Sequence, residues 1–452
     1  MKILALWPPE VPSYFNAGHH NTFWEVAAYL RRLPFVREVR AFDAGVLNWT
    51  WAAVARELAR EPDLLAIHNE FDTLHAVRSL VSYCREISPQ TRIVTFGRAS
   101  GRLAGFFKRY DFDAIVGAGD WEAALGQYAE FLANARPADQ LSGLLLRNAD
   151  GGFTDTGPGS YLPPEEWAFP DPAEVPWDLY NRLYENGILE FSGLPRLREL
   201  PITIARGCPL DCDYCLVPSY QGLRERRRSV AAVLEYADRA RQFYDFDYIS
   251  TYAPTFTLKR AWVMEFCRAI AANQAEYRWK TCTTLHHLDE PLLDAMARSR
   301  CLRVSVGLET LDSRAQALLP TLKRIPEDHL RDVARWCSER GIELTCFVIL
   351  GMPGQSAAGL AHTFRVVRDI GARIRPTAYT PYHQLREDMD EEQFLRQSRQ
   401  IVSSDSVLGL SRRDFYQLEF GDRDAVLDRF LESTPSTIGR ARDAGTTQPT
   451  ST

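Results

Sequence analysis

The stretch ARGCPLDCDYCLVPSYQG, residues 205–222, decides how the rest of the chain is interpreted. It places Cys208, Cys212 and Cys215 in a C-x3-C-x2-C pattern, directly after an apolar run typical of a β-strand. Thiolates at this density suit an iron–sulfur cluster or a zinc ion. A zinc site needs a fourth ligand, and the next Cys or His along the chain is Cys267. Three ligands leave one iron of a [4Fe–4S] cluster open, so the pattern predicts such a cluster, with a zinc loop or three buried thiols as alternatives.

Strand-like and helix-like stretches alternate on both sides of the cysteines. Before them, apolar runs such as KILALW and RIVTFG predict a parallel, doubly wound α/β sheet that binds its ligand beyond the C-terminal strand ends. After them, repeated β/α units predict a full or partial β/α barrel. The predicted parts are a Rossmann-like domain at 1–135, a Pro-rich ordered linker at 136–198, the barrel at 199–385, a short helical region at 386–433 and a disordered tail at 434–452.

Composition narrows the class of protein. The 452 residues are 45% apolar and 25% charged, as in globular chains, and the net charge of −6 argues against a general nucleic-acid binder. No apolar run reaches the ~20 residues that a membrane helix needs. The first residues, MKILALWPPEVP, predict a strand rather than a signal peptide, so we expect a cytoplasmic protein without membrane or nucleic-acid partners. Nine cysteines without a secretory signal argue against a disulfide framework.

The cysteine pattern after the first barrel strand resembles that of the radical S-adenosylmethionine (SAM) enzymes. In that family the three thiolates hold a [4Fe–4S] cluster, whose open iron binds the amino and carboxylate groups of SAM. Tyr214, directly before the last cysteine, matches the aromatic residue that the family commonly carries there. The resemblance implies that Cys208, Cys212 and Cys215 are the metal ligands. It also implies an external electron donor of the flavodoxin or ferredoxin type.

Two later segments resemble the same family in the expected order. SVGLET is similar to the fourth-strand segment, where the resemblance implies that Ser305 and Glu309 face SAM. VILGMPGQS is similar to a later strand and turn, in which Gly351 and Gly354 would let the backbone approach the adenine closely. A plain β/α turn is the alternative for these two glycines.

A Rossmann-like domain and a Pro-rich linker ahead of this barrel resemble the cobalamin-binding class of radical SAM enzymes. The segments that carry the resemblance are KILALWPP, VTFGRAS, DAIVGAGD and FPDPAEVPWDLY. The resemblance implies that cobalamin binds at the C-terminal strand ends of the first sheet. Its expected contacts there are Pro9, Gly97, Arg98, Gly117 and Gly119.

The loop after the third strand, AIHNEFDT, is predicted to lie under the corrin. His68, Asn69 and Glu70 are the candidates for contact with its lower face. The Asp-x-His-x-x-Gly signature of the classical cobalamin mutases is absent, so no histidine is marked as a cobalt ligand. A partly buried strand-end residue is the alternative for His68, and a domain that has lost cobalamin is the alternative for the whole unit.

Three further groups are candidates for chemistry or binding. His286 and His287 follow the third barrel strand, where such barrels place active sites, and are candidate general bases; a loop position is the alternative. Tyr382, near the last strand, is a candidate catalytic residue in a substrate pocket, with aromatic core as the alternative. RERRRSV (224–230) predicts a solvated helix start rather than a phosphate or partner site.

Cobalamin beside a radical SAM barrel implies methylation of a carbon atom. By the resemblance, a methyl group passes from SAM through methylcobalamin to an unactivated or ring carbon of a small natural-product intermediate. TYAPTFTL has Ala253 and Pro254 where the family often carries carboxylates for the SAM amino group, which keeps open a polar methyl transfer without an adenosyl radical. A cyclase or rearrangement enzyme on the same scaffold, an iron–sulfur redox sensor and a tRNA-modifying enzyme also stay open.

Overall fold

Two mostly parallel β-sheets form the framework of the molecule. The computed structural model describes residues 1–10, 17–185, 193–194, 196–398, 406–407 and 410–411. Within these ranges, no helix is long and apolar enough to cross a membrane. A large hydrophobic cluster, which extends from Ile3 to Phe394, connects the cores of both sheets. The two halves of the chain therefore share one continuous core.

The first sheet has seven strands in the spatial order β2-β1-β3-β4-β5-β6-β7. Its first five strands are parallel and the last two are antiparallel. The strands are β1 (Lys2–Trp7), β2 (Glu38–Asp43), β3 (Leu64–Asn69), β4 (Arg92–Gly97), β5 (Ala114–Val116), β6 (Leu144–Arg147) and β7 (Phe153–Asp155). The helices of this domain are α1 (Ala17–Leu30), α2 (Trp51–Leu58), α3 (Leu74–Ile87), α4 (Arg98–Leu103) and α5 (Trp121–Leu132). The predicted doubly wound sheet is confirmed, and its strand order reverses between β1 and β3, where such sheets bind ligands.

Burial explains why these segments form a parallel sheet. All six residues of β3 are buried, as expected for a central strand that has helices on both faces. On α3, Leu74, Val77 and Leu80 are buried at helical spacing and pack toward the sheet. At the start of α2, the Thr50 side chain accepts a hydrogen bond from the backbone N–H of Ala53 and caps the helix.

The first sheet extends beyond the predicted boundary at residue 135. Strands β6 and β7 pair with its edge, although they lie in the segment that the sequence assigns to the linker. The described residues of this segment also include α6 (Trp177–Glu185), which contacts both halves of the chain. The Trp177 ring stacks on Tyr244 of the second half, and the Trp24 indole of the first half donates to the Tyr180 hydroxyl at 2.7 Å.

The second sheet is an open barrel of six parallel strands, in the order β8-β11-β12-β13-β14-β15. A short antiparallel pair, β9 with β10, joins the two ends of the cysteine segment. The strands are β8 (Glu199–Thr203), β9 (Ala205–Arg206), β10 (Arg226–Arg227), β11 (Tyr248–Tyr252), β12 (Arg278–Thr284), β13 (Cys301–Glu309), β14 (Glu343–Leu350) and β15 (Arg373–Ala378). The helices are α7 (Val217–Gln221), α8 (Val230–Ala240), α9 (Arg260–Ala272), α10 (Glu290–Arg298), α11 (Ser313–Gln316), α12 (Glu327–Glu339) and α13 (Ala357–Asp369). The predicted partial β/α barrel is confirmed.

The region after residue 385 is described only in part. It contains α14 (Glu391–Ser398) and a two-strand pair, β16 (Ser406–Val407) with β17 (Leu410–Ser411). The helix agrees with the predicted helical region 386–433, but the strand pair inside this region differs from it. The rest of the region and the predicted tail at 434–452 lie outside the described residues.

Candidate functional site

A cleft lies between the C-terminal strand ends of the first sheet and the mouth of the barrel. It encloses about 1060 Å³, counting the part that is open to solvent. Both kinds of fold bind ligands at these strand ends. The residues that line the cleft include Glu70, Arg98 and Trp121 from the first domain and Tyr220, Tyr252 and Pro254 from the barrel.

Residues 205–222, the cysteine loop, follow β8 and carry the three predicted metal ligands. Cys208 and Cys212 are each 7% exposed, Cys215 is half-buried, and none of them forms a disulfide. Gly207 has φ +81°, and a Cβ there would come within 2.3 Å of a backbone oxygen, so only glycine fits. The Cys208 N–H donates to the Gly222 carbonyl at 3.1 Å. Backbone contacts thus set the shape of the loop and leave the thiols available.

The three thiols of the cysteine loop are the candidate ligands for a metal cluster. Zinc draws four ligand atoms to within about 2.3 Å of one point. Among the described residues, no three His, Cys, Asp or Glu side chains converge in this way. The thiols of Cys208, Cys212 and Cys215 are nevertheless close enough to interact electrostatically. Three neighbouring thiols suit a multi-iron cluster, because each ligand of such a cluster binds a different iron.

A buried ion pair lies beside the cysteine loop. Lys323 Nζ is 2.9 Å from Glu309 Oε1, and the two side chains are 13% and 6% exposed. Burial alone would lower the pKa of Lys323, but the Glu309 carboxylate outweighs it and holds the pKa above its ordinary value. A Cβ at Gly307 would come within 2.4 Å of Glu309 Oε1 and 2.5 Å of Lys323 Nζ, so this glycine makes room for the pair. Lys323 was not among the residues predicted from the sequence.

The other residues predicted to contact SAM lie on the same side of the barrel. Ser305 is half-buried on β13 and pairs in register with Cys282, which lines the cleft. Tyr214 packs on a small apolar cluster that contains Met352, in the turn after β14. The glycines of that turn, Gly351 and Gly354, have φ values of +83° and +77°. The structure therefore brings the cysteine loop, β13 and the glycine turn together.

His68 is buried beneath the cleft rather than exposed to it. Its ring stacks on Trp7 with centroids 4.0 Å apart, and Trp7 stacks in turn on His20 at 3.8 Å. Neither ring nitrogen of His68 finds a hydrogen-bond partner among the described residues. Burial lowers the pKa of His68 well below its ordinary value, so the ring is neutral. The alternative of a buried strand-end histidine matches this position.

Glu70 and Arg98 are the predicted residues whose charged side chains reach the cleft from the first domain. The Arg98 guanidinium lies 2.7 Å from a Glu70 carboxylate oxygen. Burial raises the pKa of Glu70 to about 7, in spite of the opposing charge of Arg98. Asn69 has a different role, because its amide group bonds to Thr95 at 2.8 Å and to Ser100 at 3.0 Å. These bonds hold the end of β3 against the start of α4.

The glycines predicted as contacts in the first domain determine the backbone conformation of its loops. Gly97 has φ +150°, and a Cβ there would come within 2.0 Å of the Asn69 carbonyl oxygen. Gly119 has φ +122° and lines the cleft. Gly117 donates its N–H to Gly143 at 2.9 Å, on the side of β6. Pro9 is half-buried directly after β1.

The predicted catalytic residues are spread out. His286 is exposed, and His287 is half-buried with Nδ1 3.2 Å from the Thr257 hydroxyl. Burial, and then the charge of His286, lowers the pKa of His287. Neither histidine is among the cleft-lining residues. Tyr382 packs on Phe71 with ring centroids 5.3 Å apart, close enough to Arg98 to interact with its charge.

The prediction of a solvated helix start for RERRRSV was wrong for three of its four arginines, since only Arg224 is exposed. Arg227 and Arg228 are 8% and 3% exposed. Arg228 donates to backbone carbonyls of the linker and β8, and its guanidinium is 3.6 Å from the carboxylate of Glu25 in the first domain. The guanidinium groups of Arg226 and Arg228 both lie over the Trp167 ring, at 5.3 Å. The charged run is buried because its partners come from distant parts of the chain.

Comparison with known proteins identifies the barrel. The Radical SAM superfamily profile matches residues 202–367, which include the three loop cysteines, Glu309 and Lys323. The cytidylyl-2-hydroxyethylphosphonate methyltransferase of Streptomyces wedmorensis is 29% identical over 151 residues. This match covers 33% of the chain and 28% of that protein, so the chain spans well under a third of that relative's length.

Two solved structures share the fold of most of the chain. The radical S-adenosylmethionine methyltransferase TsrM from Kitasatospora setae, solved with cobalamin and a [4Fe–4S] cluster, has a TM-score of 0.66 at 17% identity; the match covers 84% of this chain and 74% of TsrM. The cobalamin-dependent S-adenosylmethionine radical enzyme OxsB, solved with aqua-cobalamin and S-adenosylmethionine, has a TM-score of 0.65 at 14% identity, over 96% of this chain and 62% of OxsB. The resemblance predicted from the sequence is thus confirmed. Residues 202–367 of the chain thus match the Radical SAM superfamily, and its two domains share the fold of TsrM and OxsB.

Proposed function

We propose that the protein is a cobalamin-dependent radical SAM methyltransferase that methylates a carbon atom of a small natural-product intermediate. The observation that carries the proposal is the cleft, because the cysteine loop and the C-terminal strand ends of the doubly wound sheet open onto the same space. Such an arrangement gives a SAM-binding barrel and a corrin-binding domain access to one substrate. The curated relative is named a methyltransferase, and TsrM and OxsB were solved with cobalamin, which supports the proposal.

The described residues fit three cofactors. The thiols of the cysteine loop would hold a [4Fe–4S] cluster, and Ser305 and Glu309 would contact SAM on the adjoining strand. Glu70 and Arg98 would lie under the corrin at the ends of β3 and β4. When bound, the cluster supplies an electron, SAM supplies the methyl group, and cobalamin carries that group to the substrate.

The chain's own side chains would place charges next to the bound cofactors and keep water away from them. Lys323 places a buried positive charge near the thiols of Cys212 and Cys215, and would offset part of the negative charge of their thiolates. The ion pair with Lys323 also holds the Glu309 carboxylate in one orientation. Tyr252 and Pro254 give the cleft an apolar wall at the end of β11. We expect an external flavodoxin- or ferredoxin-type protein to supply the electron.

Cofactor content after anaerobic purification, with iron, sulfide and hydroxocobalamin supplied, tests the proposal. We expect about four irons and one corrin per chain. Cys212→Ser should lose the iron, whereas Cys337→Ser, which removes a buried thiol on α12, should keep it. Four irons without corrin would overturn the cobalamin half of the proposal, and a protein without iron would overturn all of it. Transfer of a labelled methyl group from SAM to the bound corrin is the next measurement.

A polar methyl transfer that never forms 5′-deoxyadenosine is the second candidate. It is favoured by Ala253 and Pro254, which line the cleft where related barrels often carry carboxylates for the SAM amino group. Product analysis separates the two candidates. Methylated product with S-adenosylhomocysteine alone supports polar transfer, whereas one 5′-deoxyadenosine per methylation supports the radical route. A rearranged product without an added methyl group would favour a cyclase or rearrangement enzyme instead.

A further inference from the structure

The start of the cysteine loop is bound to the first domain by buried charges. Arg206 donates to the Glu122 carboxylate at 2.7 Å and to the Glu25 carboxylate at 2.9 Å. The side chains of Arg206, Glu122 and Glu25 are 6%, 2% and 0% exposed. A guanidinium that donates to two carboxylates through different nitrogens is fixed in direction as well as distance, so these contacts orient the backbone at the start of the cysteine loop.

The end of the cysteine loop is bound to the same part of the first domain. Residues 117–122, which run from the end of β5 into the first turn of α5, form what we call the interdomain turn. The Gly119 N–H donates to the Tyr220 carbonyl at 3.0 Å, and the Trp121 ring stacks on the Tyr220 ring with centroids 5.6 Å apart. Just beyond the loop, Arg226 donates to both carboxylate oxygens of Asp120. One turn of the first domain thus holds both ends of the loop that carries the thiols.

The interdomain turn also lines the cleft, through Gly119, Asp120, Trp121 and Glu122. The proposed function places cobalamin against this surface, at the C-terminal strand ends of the first sheet. A ligand bound there would contact the residues that fix the cysteine loop. We propose that cobalamin binding and cluster assembly are energetically coupled through the interdomain turn. This inference rests on the proposed function.

The direction of the coupling follows from what each event orders. Cluster assembly fixes the cysteine loop, and the loop then holds the interdomain turn in its cofactor-facing position through Arg206 and Tyr220. Cobalamin that binds afterward meets a surface that is already ordered, so less conformational entropy is lost on binding. Linkage requires the effect to be reciprocal, so cobalamin must favour retention of the cluster by the same factor.

The test compares hydroxocobalamin affinities of the full chain with and without its cluster, by anaerobic quenching of tryptophan fluorescence. We expect binding to the cluster-loaded protein to be at least about fivefold tighter. Bound hydroxocobalamin should also slow the loss of iron to a chelator. Equal affinities would overturn the coupling and leave the proposed function standing. A chain that binds no cobalamin in either form would overturn both.

A matched pair of variants tests whether the interdomain contacts carry the effect. Glu25 bonds to Arg206 but is not among the cleft-lining residues. Glu25→Gln should therefore bring the ratio of hydroxocobalamin affinities, with the cluster over without it, toward one. The affinity of the cluster-free protein should stay nearly unchanged. Glu57→Gln removes a carboxylate that lies 2.9 Å from Arg40 at the far edge of the sheet, and should keep the full ratio. A full ratio in Glu25→Gln would overturn the assignment. If that variant does not fold, the ratio in the unaltered protein still decides whether coupling exists.

Discussion

The buried Glu309 carboxylate beside the cysteine loop depends on the positive charge of Lys323. Lys323→Met leaves the Glu309 carboxylate buried without its cation, which should cost about 3–5 kcal/mol of unfolding free energy. Arg396→Met is the matched control, because its partner Glu392 is 76% exposed and such pairs contribute less than about 1 kcal/mol. Urea unfolding of both variants measures the difference. Equal losses would show that Lys323 is not part of a buried pair.

Ionisation of Glu70 should lower the free energy of unfolding as the pH rises. Its pKa is about 7 in the folded protein and 4.5 ordinarily, so the stability that it contributes is fully present below pH 4.5 and is lost as the pH rises through 7. Glu70→Gln cannot ionise. Relative to the unaltered protein, we expect this variant to gain up to about 3 kcal/mol of unfolding free energy between pH 4.5 and 8. Parallel stability profiles in urea at each pH would contradict this.

At the residue scale, spacing alone predicts the metal ligands but not the residues around them. The three cysteines stand out because they are close together in the sequence. Lys323 is separated from Glu309 by 14 positions and lies in a 3₁₀ turn, Thr321–Lys323, so no local pattern marks it. Alternation along β3 indicates that only some of His68, Asn69 and Glu70 face a ligand. Which of them does so depends on aromatic stacking and amide bonds that form only in the folded chain.

At the scale of single elements, the junction between β4 and α4 depends on Gly97. A Cβ at Gly97 would come within 2.0 Å of a backbone oxygen, whereas one at Gly151, with φ +85°, would meet no atom within 4 Å. Gly151→Ala should therefore cost only the backbone strain, about 1–2 kcal/mol. Gly97→Ala should cost about 1–3 kcal/mol more, because the backbone must also move. Thermal unfolding checks this, and equal costs would contradict the close approach.

Most of the elements could be predicted because parallel α/β units have strong patterns. Central strands such as β3 and β14 consist mostly of apolar, buried residues, and their helices have apolar residues at helical spacing. Strands β6 and β7 could not be predicted, since they contain only four and three residues and join the sheet by antiparallel pairing with its edge. That pairing is a tertiary event, and the surrounding Pro and Gly residues indicate a linker.

At the scale of the whole molecule, the arginine run 226–228 shows what composition cannot reveal. A dense group of like charges is usually solvated, and here it is buried between two domains. Its burial depends on carboxylates such as Glu25 and on the Trp167 ring, which are far away in the sequence. Only the fold brings these groups together.

Arg206 should determine whether the two domains unfold together. Arg206→Met leaves Glu122 buried without its guanidinium partner and Glu25 with Arg228 alone, at 3.6 Å, which should cost about 3–5 kcal/mol and separate the unfolding of the two domains. Calorimetry should show one transition for the unaltered protein and two for the variant. Arg40→Met removes an ion pair within the first domain and should keep a single transition. A single transition in both variants would contradict a joining role for Arg206.

The two sides of the interface between the domains are also synthesised in a fixed order. Glu25 and Glu122 precede Arg206 by 181 and 84 positions, so the ribosome makes the acidic side of this interface first. Until Arg206 is translated, these carboxylates stay hydrated, because burying them without a cation is costly. We therefore expect the nascent first domain to keep this face open for the cysteine loop until Arg206 has been made.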